Sequence, residues 1–120
     1  MWPFSPKTPD RSPQAQYRTI SVRDVPQRLR AGAKLVDVRS PREFNAVHPR
    51  DAINVTPRMI KQDEIGLERD TEIMLICLSG SRSERAARDL VTLGYTNVSN
   101  VQGGLNTWVK FNLPVVVHKR

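Results

Sequence analysis

Residues 72–78, EIMLICL, are apolar at nearly every position, and this run restricts the fold more than any other stretch of the chain. A strand with one face in water alternates apolar and polar side chains, whereas a strand covered on both faces has no polar set to display. Burial on both faces implies a mainly parallel sheet, because the crossover helices of parallel strands are what cover the two sides. The rest of the chain reads as the material for such a sheet. RTIS (18–21) is a short edge-strand candidate, and Ser21 is a plausible N-cap for VRDVPQRLRAG, where Val22, Val25 and Leu29 recur at helical spacing and Gly32 is the stop. KLVDVR (34–39) gives a strand around Leu35, Val36 and Val38, followed by SPREF with Ser40 as cap and Pro41 at the favoured first helical position. AINV (52–55) reads as another strand, and TPRMIKQ (56–62) repeats the Thr-Pro helix opening. After the loop SGS (79–81), Ala86, Ala87, Leu90, Val91 and Leu93 form a helical stripe ending at Gly94. A strand NVSNV (97–101), a Gly103-Gly104 turn, an amphipathic LNTWVKF (105–111) and LPVVV (113–117) complete the pattern. The expected architecture is α/β: a small, open, mainly parallel five-stranded sheet flanked by helices on both faces.

A chain of 120 residues is the size of one domain with a modest core. Its apolar runs fall far short of the ~20 residues a membrane-spanning helix requires, so no membrane span is expected. Residues 1–16 are rich in proline and polar residues and read as a flexible arm, with the domain over 17–120. Trp2 and Phe4 are the arm's candidates for docking on the domain or on a partner. Pro3, Pro6, Pro9 and Pro13 interrupt any apolar leader, and cytoplasmic residence is the expectation. Cys77 is the sole cysteine, and His48 and His118 are the sole histidines, so we expect no internal disulfide, no metal site and no cofactor. The formal charge of +7 comes from scattered basic residues rather than a run. That distribution favours anionic ligands or partners over nucleic acid.

If EIMLI is a parallel strand, Cys77 lies at its C-terminal end, where open α/β sheets place their ligands. Leu78, Ser79, Gly80, Ser81 and Arg82 then lead into a helix N-terminus. Backbone N–H groups of such a loop converge on an anion, and the helix dipole adds positive potential at the same place. A thiolate is itself an anion, so a thiol held there, with Arg82 nearby, ionises more readily and becomes a nucleophile. A lone cysteine is more often inert core. The strand, glycine loop, arginine and helix together reverse that reading.

The stretch CLSGSRS (77–83) resembles the active-site loop of the rhodanese family of sulfurtransferases, in which cysteine and arginine bracket four residues before a serine, here Leu78 to Ser81. Two further family signatures stand in the expected order. LVDVRSPREFNAVHPRDAINV (35–55) resembles the segment with an Asp-x-Arg strand end, a Glu-Phe pair, a histidine and an Ala-Ile-Asn strand, and VQGGLNTWVKFNLPVV (101–116) resembles the closing Gly-Gly-x-x-x-Trp element. The resemblance implies that the Cys77 thiolate takes a sulfane sulfur from thiosulfate or a persulfide and passes it to cyanide or a thiol. It also implies that Leu78, Ser79, Gly80, Ser81, Arg82 and Ser83 form the anion cradle, with Arg82 as its electrostatic closure and a protein as a candidate sulfur partner. Cysteine phosphatases of the related fold have a loop one residue longer, so this ring is too tight for phosphate. Two departures from the family pattern stand out. The family's usual Gly-His-Ile-Pro-Gly-Ala is here Val47 to Ala52, with Asp51 as the substitute for glycine, since aspartate tolerates left-handed backbone better than most residues. Leu78 stands where many members carry a basic residue, which disfavours thiosulfate relative to persulfide donors. Two other functions stay open: a non-enzymatic binding or regulatory module that keeps the fold, which retention of both Cys77 and Arg82 argues against, and reduction of an arsenate-like oxyanion, which the lack of a second thiol argues against more strongly.

Asp37 and Arg39 sit at a second strand end and are candidates to line the same cleft. We favour a plainer reading, in which Asp37 accepts backbone hydrogen bonds and Arg39 pairs with Glu43. His48 reads as a hydrogen-bonding spacer rather than an acid or base. Leu105, Trp108 and Phe111 form a core stripe, and Arg85 and Arg88 lie on a solvated helix face.

Overall fold

In the computed structural model, which describes residues 16–118, the apolar run becomes the middle strand of the sheet. In chain order the strands are β1 (Arg18–Ile20), β2 (Lys34–Asp37), β3 (Val47–Pro49), β4 (Ala52–Asn54), β5 (Ile73–Ile76), β6 (Val98–Val101) and β7 (Val115–Val117). The helices are α1 (Val25–Arg30), α2 (Pro41–Ala46), α3 (Pro57–Lys61), α4 (Ser81–Thr92) and α5 (Gly104–Lys110). Five strands form one sheet in the order β1-β6-β5-β2-β4, and every pairing in it is parallel. The expected arm over residues 1–16, with Trp2 and Phe4, lies outside the described residues apart from Gln16. Among the described residues no helix is long and apolar enough to cross a membrane.

Alternation along β5 builds two cores at once. Ile73, Leu75 and Cys77 face one side with Val36, Val38, Ile60 and Leu90, under α3 and α4. Met74 and Ile76 face the other side with Leu35, Val25, Leu105 and Trp108, under α1 and α5. Each large aliphatic side chain removed from water stabilises the fold by about 1.5–3 kcal/mol before entropy is counted. The central strand is therefore held from both faces, and all four of its residues are buried. Trp108 also donates its indole N–H to the Pro114 carbonyl at 2.9 Å, which fixes the chain as it leaves α5.

The caps fall where the sequence puts them. Ser21 accepts from the Arg23 N–H, Ser40 from Glu43 and Thr56 from Met59. Three local expectations change. The first helix divides into a 3-10 turn, Val22–Asp24, and α1, because Pro26 has no N–H to bond the Val22 carbonyl, which the Val25 N–H takes instead. The segment after α2, to which the sequence pattern assigned no strand, contains β3, which pairs antiparallel with β7 in a separate two-stranded ribbon; Pro49 is tolerated there because the ribbon is all edge. The Gly103-Gly104 turn is the start of α5, with Gly103 as its cap. Asp51 has φ 74°, the left-handed backbone for which it was singled out.

Candidate active site

β5 ends one residue before Cys77, and Gly80 at φ 111° turns the chain so that α4 begins at Ser81. The loop folds over the sulfur. Cys77 Sγ accepts the Gly80 N–H at 3.1 Å, the Ser83 N–H at 3.3 Å and the Ser83 hydroxyl at 3.3 Å. Cys77 is 1% exposed, and that burial pushes its thiol up, but the Ser83 hydroxyl and the N–H groups of Ser83, Gly80 and Ser79 outweigh burial and hold it below an ordinary cysteine. Around this buried sulfur Leu78, Ser79, Ser81 and Arg82 are exposed.

The aim of one of those donors, the Ser79 N–H, depends on α5. Its first free donors, the N–H groups of Leu105 and Asn106, bond the carbonyls of Cys77 at 2.8 Å and Leu78 at 3.1 Å. Pulling these two carbonyls toward α5 points the N–H groups that share their peptide planes, those of Leu78 and Ser79, the other way, and Ser79 is one of the donors that hold the Cys77 thiol down. Gly104 makes this approach feasible: a Cβ there would lie 2.5 Å from the Cys77 oxygen and 2.6 Å from the Leu78 carbonyl. The glycine pair is thus the rear wall of the loop, a role that sequence inspection did not give it.

Arg82 does not close the loop with a free charge. Its guanidinium makes a bidentate pair with Glu43 of α2, at 2.8 and 3.0 Å. The arginine holds the Glu43 carboxyl at about 2, and Glu43 in turn raises Arg82, with smaller contributions from Cys77 and Asp37. Arg82 therefore acts as a strut between α4 and α2 whose field still reaches the sulfur. The expected Arg39–Glu43 pair does not form. Arg39 donates instead to both carboxylate oxygens of Asp37, at 2.8–3.1 Å, and to the Val47 carbonyl at 2.6 Å. Both side chains are buried, Arg39 at 3% and Asp37 at 1% exposure, and Asp37 also receives the Arg39 backbone N–H. The pair joins the end of β2 to the start of β3 and does not line the mouth of the loop.

Asn100, at 7% exposure near the end of β6, was missed. Its Oδ1 lies 2.6 Å from the Ser83 hydroxyl and its Nδ2 donates to the Gly80 carbonyl at 3.3 Å. In the sequence it shows only as a polar residue inside a short strand, with nothing to mark its neighbour across the sheet. His48 bonds the Phe44 carbonyl at 2.8 Å and stacks on the Phe44 ring at 3.8 Å, which is the spacer role. Arg88 pairs with Glu84 on the outer face of α4, and Phe111, expected in the core, is 46% exposed beneath the Arg23 guanidinium.

A family model, the rhodanese-like domain, matches residues 21–111. The chain is 35% identical over 109 residues to senescence-associated protein DIN1 of Raphanus sativus, covering 81% of this chain and 60% of that protein. It thus spans about 60% of the length of that relative. It is 33% identical over 108 residues to thiosulfate sulfurtransferase 16, chloroplastic, of Arabidopsis thaliana, covering 80% of this chain and 90% of the relative. Among solved structures, a rhodanese-related protein from Thermoplasma volcanium is similar with a TM-score of 0.74 and 32% identity, over 83% of this chain and 98% of that one.

Proposed function

Since the chain belongs to the rhodanese-like domain family, we propose that it is a sulfurtransferase in which Cys77 carries one sulfur atom as a persulfide. The Cys77 thiolate attacks the outer sulfur of a donor such as thiosulfate. The new S–S bond forms as the donor's S–S bond breaks, and sulfite leaves with the electron pair, so that one negative charge stays on the protein and two depart. Cyanide or a thiolate then attacks the outer sulfur of the persulfide, and the bonding pair returns to Cys77 Sγ. Neither step needs a cofactor or a proton donated by a side chain.

The observation that carries this reading is the convergence of the Gly80 N–H, the Ser83 N–H and the Ser83 hydroxyl on one sulfur at 3.1–3.3 Å. Fixed dipoles stabilise a thiolate without reorganising when it forms, and they serve again when the thiolate is the leaving group. The loop backbone from Leu78 to Ser83 is where the outer persulfide sulfur and the departing anion would lie, within the field of Arg82. Leu78, 40% exposed, offers no charge to a dianion. A low-molecular-weight or protein persulfide is therefore the better donor. The reading places the reaction in the cytoplasm, where reduced thiols that can accept the sulfur are abundant.

Intact-mass spectrometry after incubation with thiosulfate, and separately with a small-molecule persulfide, tests it. One added sulfur is expected on wild type and none on Cys77→Ser. No adduct from either donor, on protein shown to be folded and reduced, overturns the proposal.

A further inference from the structure

Ser83 has one hydroxyl proton and three acceptors within its reach: Asn100 Oδ1 at 2.6 Å, the Gly80 carbonyl at 3.2 Å and Cys77 Sγ at 3.3 Å. All the side chains are buried, with Ser83 at 0%, Cys77 at 1% and Asn100 at 7% exposure, so water does not relieve the competition. The Asn100 amide is not free to turn over. The Gly80 carbonyl can only accept, so Nδ2 faces it at 3.3 Å, and Oδ1 must then face Ser83. Oδ1 is an acceptor that does not titrate, in permanent competition with Sγ for one proton.

We propose that Asn100 is a positioning residue for the sulfur chemistry, which holds the Ser83 hydroxyl proton while Cys77 is a thiol and yields it to Sγ when the thiolate forms. In the first state the Cys77 S–H donates to Ser83 Oγ, and Ser83 donates to Asn100. In the second the thiol proton has left to water at the mouth of the loop, Sγ only accepts, and the Ser83 hydroxyl swings onto it. The 2.6 Å bond to Asn100 is then broken. Ionising Cys77 therefore carries a penalty that the backbone N–H groups alone would not impose, and Asn100 keeps the thiol from becoming too acidic. That suits a transfer enzyme, because thiolate nucleophilicity falls as acidity rises and the best attacking thiol titrates near ambient pH. In the persulfide the charge moves to the outer sulfur, and the Ser83 proton returns to Asn100.

The charged groups on the elements around the loop are Arg82, Glu84, Arg85, Arg88 and Asp89 of α4, Arg42 and Glu43 of α2, Asp37 at the end of β2 and Arg39 just after it. Arg82 is tied to Glu43, Arg39 to Asp37, and Glu84 accepts from the Tyr17 hydroxyl. Neither β6 nor the first turn of α5 presents a charged side chain to the loop. Asn100 thus acts through the one hydroxyl rather than through a field.

The inference rests on Cys77 reacting as a thiolate, and its test reads the thiol directly, without a sulfur donor. The rate of alkylation by iodoacetamide is followed against pH for wild type, Asn100→Ala, Ser83→Ala and the double variant. Asn100→Ala should lower the Cys77 midpoint by about half to one pH unit, the size of one neutral hydrogen bond, and Ser83→Ala should raise it. In the Ser83→Ala background, replacing Asn100 should change nothing. A midpoint that rises or stays put in folded Asn100→Ala, or a shift of equal size in both backgrounds, overturns the proposal. A measurement on wild type covers the case in which the variant fails to fold: the Asn100 side-chain carbonyl carbon resonance should move with the Cys77 midpoint, and a flat resonance through that titration overturns the proposal too. Failure to form a persulfide would remove the proposed function while leaving these titrations readable.

Discussion

Replacing Gly104 with alanine should damage both stability and the cysteine, and the structure allows the two effects to be separated. The residue has φ 59°, so any side chain incurs the left-handed penalty of about 1–2 kcal/mol. Its Cβ would also sit 2.5–2.6 Å from backbone atoms of Cys77 and Leu78, which cannot rotate away as a flexible side chain could. The loop has to retreat from α5, stretching the Leu105–Cys77 and Asn106–Leu78 bonds, and a buried carbonyl left without its donor costs about a further 1–3 kcal/mol. The expected loss is therefore about 2–5 kcal/mol by urea unfolding. Gly66→Ala is the control, since it has a similar φ of 72° but nothing within 4 Å of its Cβ. It should lose only about 1–2 kcal/mol, from backbone strain alone. Retreat of the loop should also turn the Ser79 N–H off Sγ, so in Gly104→Ala, and not in Gly66→Ala, the pH midpoint of Cys77 alkylation should rise toward that of an ordinary thiol. Equal losses in the two variants, with an unchanged alkylation profile in both, would refute the role of Gly104 as the wall that aims the loop.

The other expectations concern charge. Leu78→Arg should raise kcat/KM for thiosulfate by up to roughly thirtyfold at low salt, because a unit charge at contact distance in water is worth about 1 kcal/mol and the donor carries two. The gain should shrink as salt is added, and no gain would remove Leu78 as the reason thiosulfate is disfavoured. Glu43 has a folded value near 2 against an ordinary 4.5, so its pair with Arg82 stabilises the fold above about pH 4.5 and is lost as pH falls toward 2. The partners are 45% and 35% exposed, so the term is small, about 0.2–1 kcal/mol. Urea midpoints of Glu43→Gln should converge on wild type over that acid range, whereas parallel curves would deny the pair any contribution. Asp37→Ala strands a buried Arg39 and should cost about 3–5 kcal/mol in urea unfolding, while adding Arg39→Met should recover most of it. Failure of the second change to restore stability would mean that Asp37 matters for something other than neutralising Arg39.

Much of the scaffold was legible because it depends on neighbours a few positions apart. The caps at Ser21, Ser40 and Thr56 bond N–H groups two or three residues on, the uniform apolarity of Ile73 to Ile76 reports burial on both faces, and the left-handed turn at Asp51 suits the residue that occupies it. The position of Cys77, at the end of that strand and ahead of a glycine turn and a helix, follows from the same local grammar. Partner choice was not legible. Glu43 was assigned to Arg39, four residues away, but it meets Arg82, 39 residues away, because Asp37 already occupies Arg39 and α2 lies beside the start of α4. Asn100 could not be recognised because nothing near it in sequence says that β6 lies beside β5, and only that adjacency puts its amide against Ser83. Likewise β3 finds β7 some 68 residues on, and its apolar pattern is too short to announce a strand without its partner. By itself the sequence determined the three helix caps, the left-handed turn at Asp51 and the two-sided burial of Ile73 to Ile76, and therefore that a cysteine stands at the end of a central strand. Only the tertiary structure decided which groups surround that sulfur, because the order of strands in a sheet is set by the packing of the whole chain and not by any window of it.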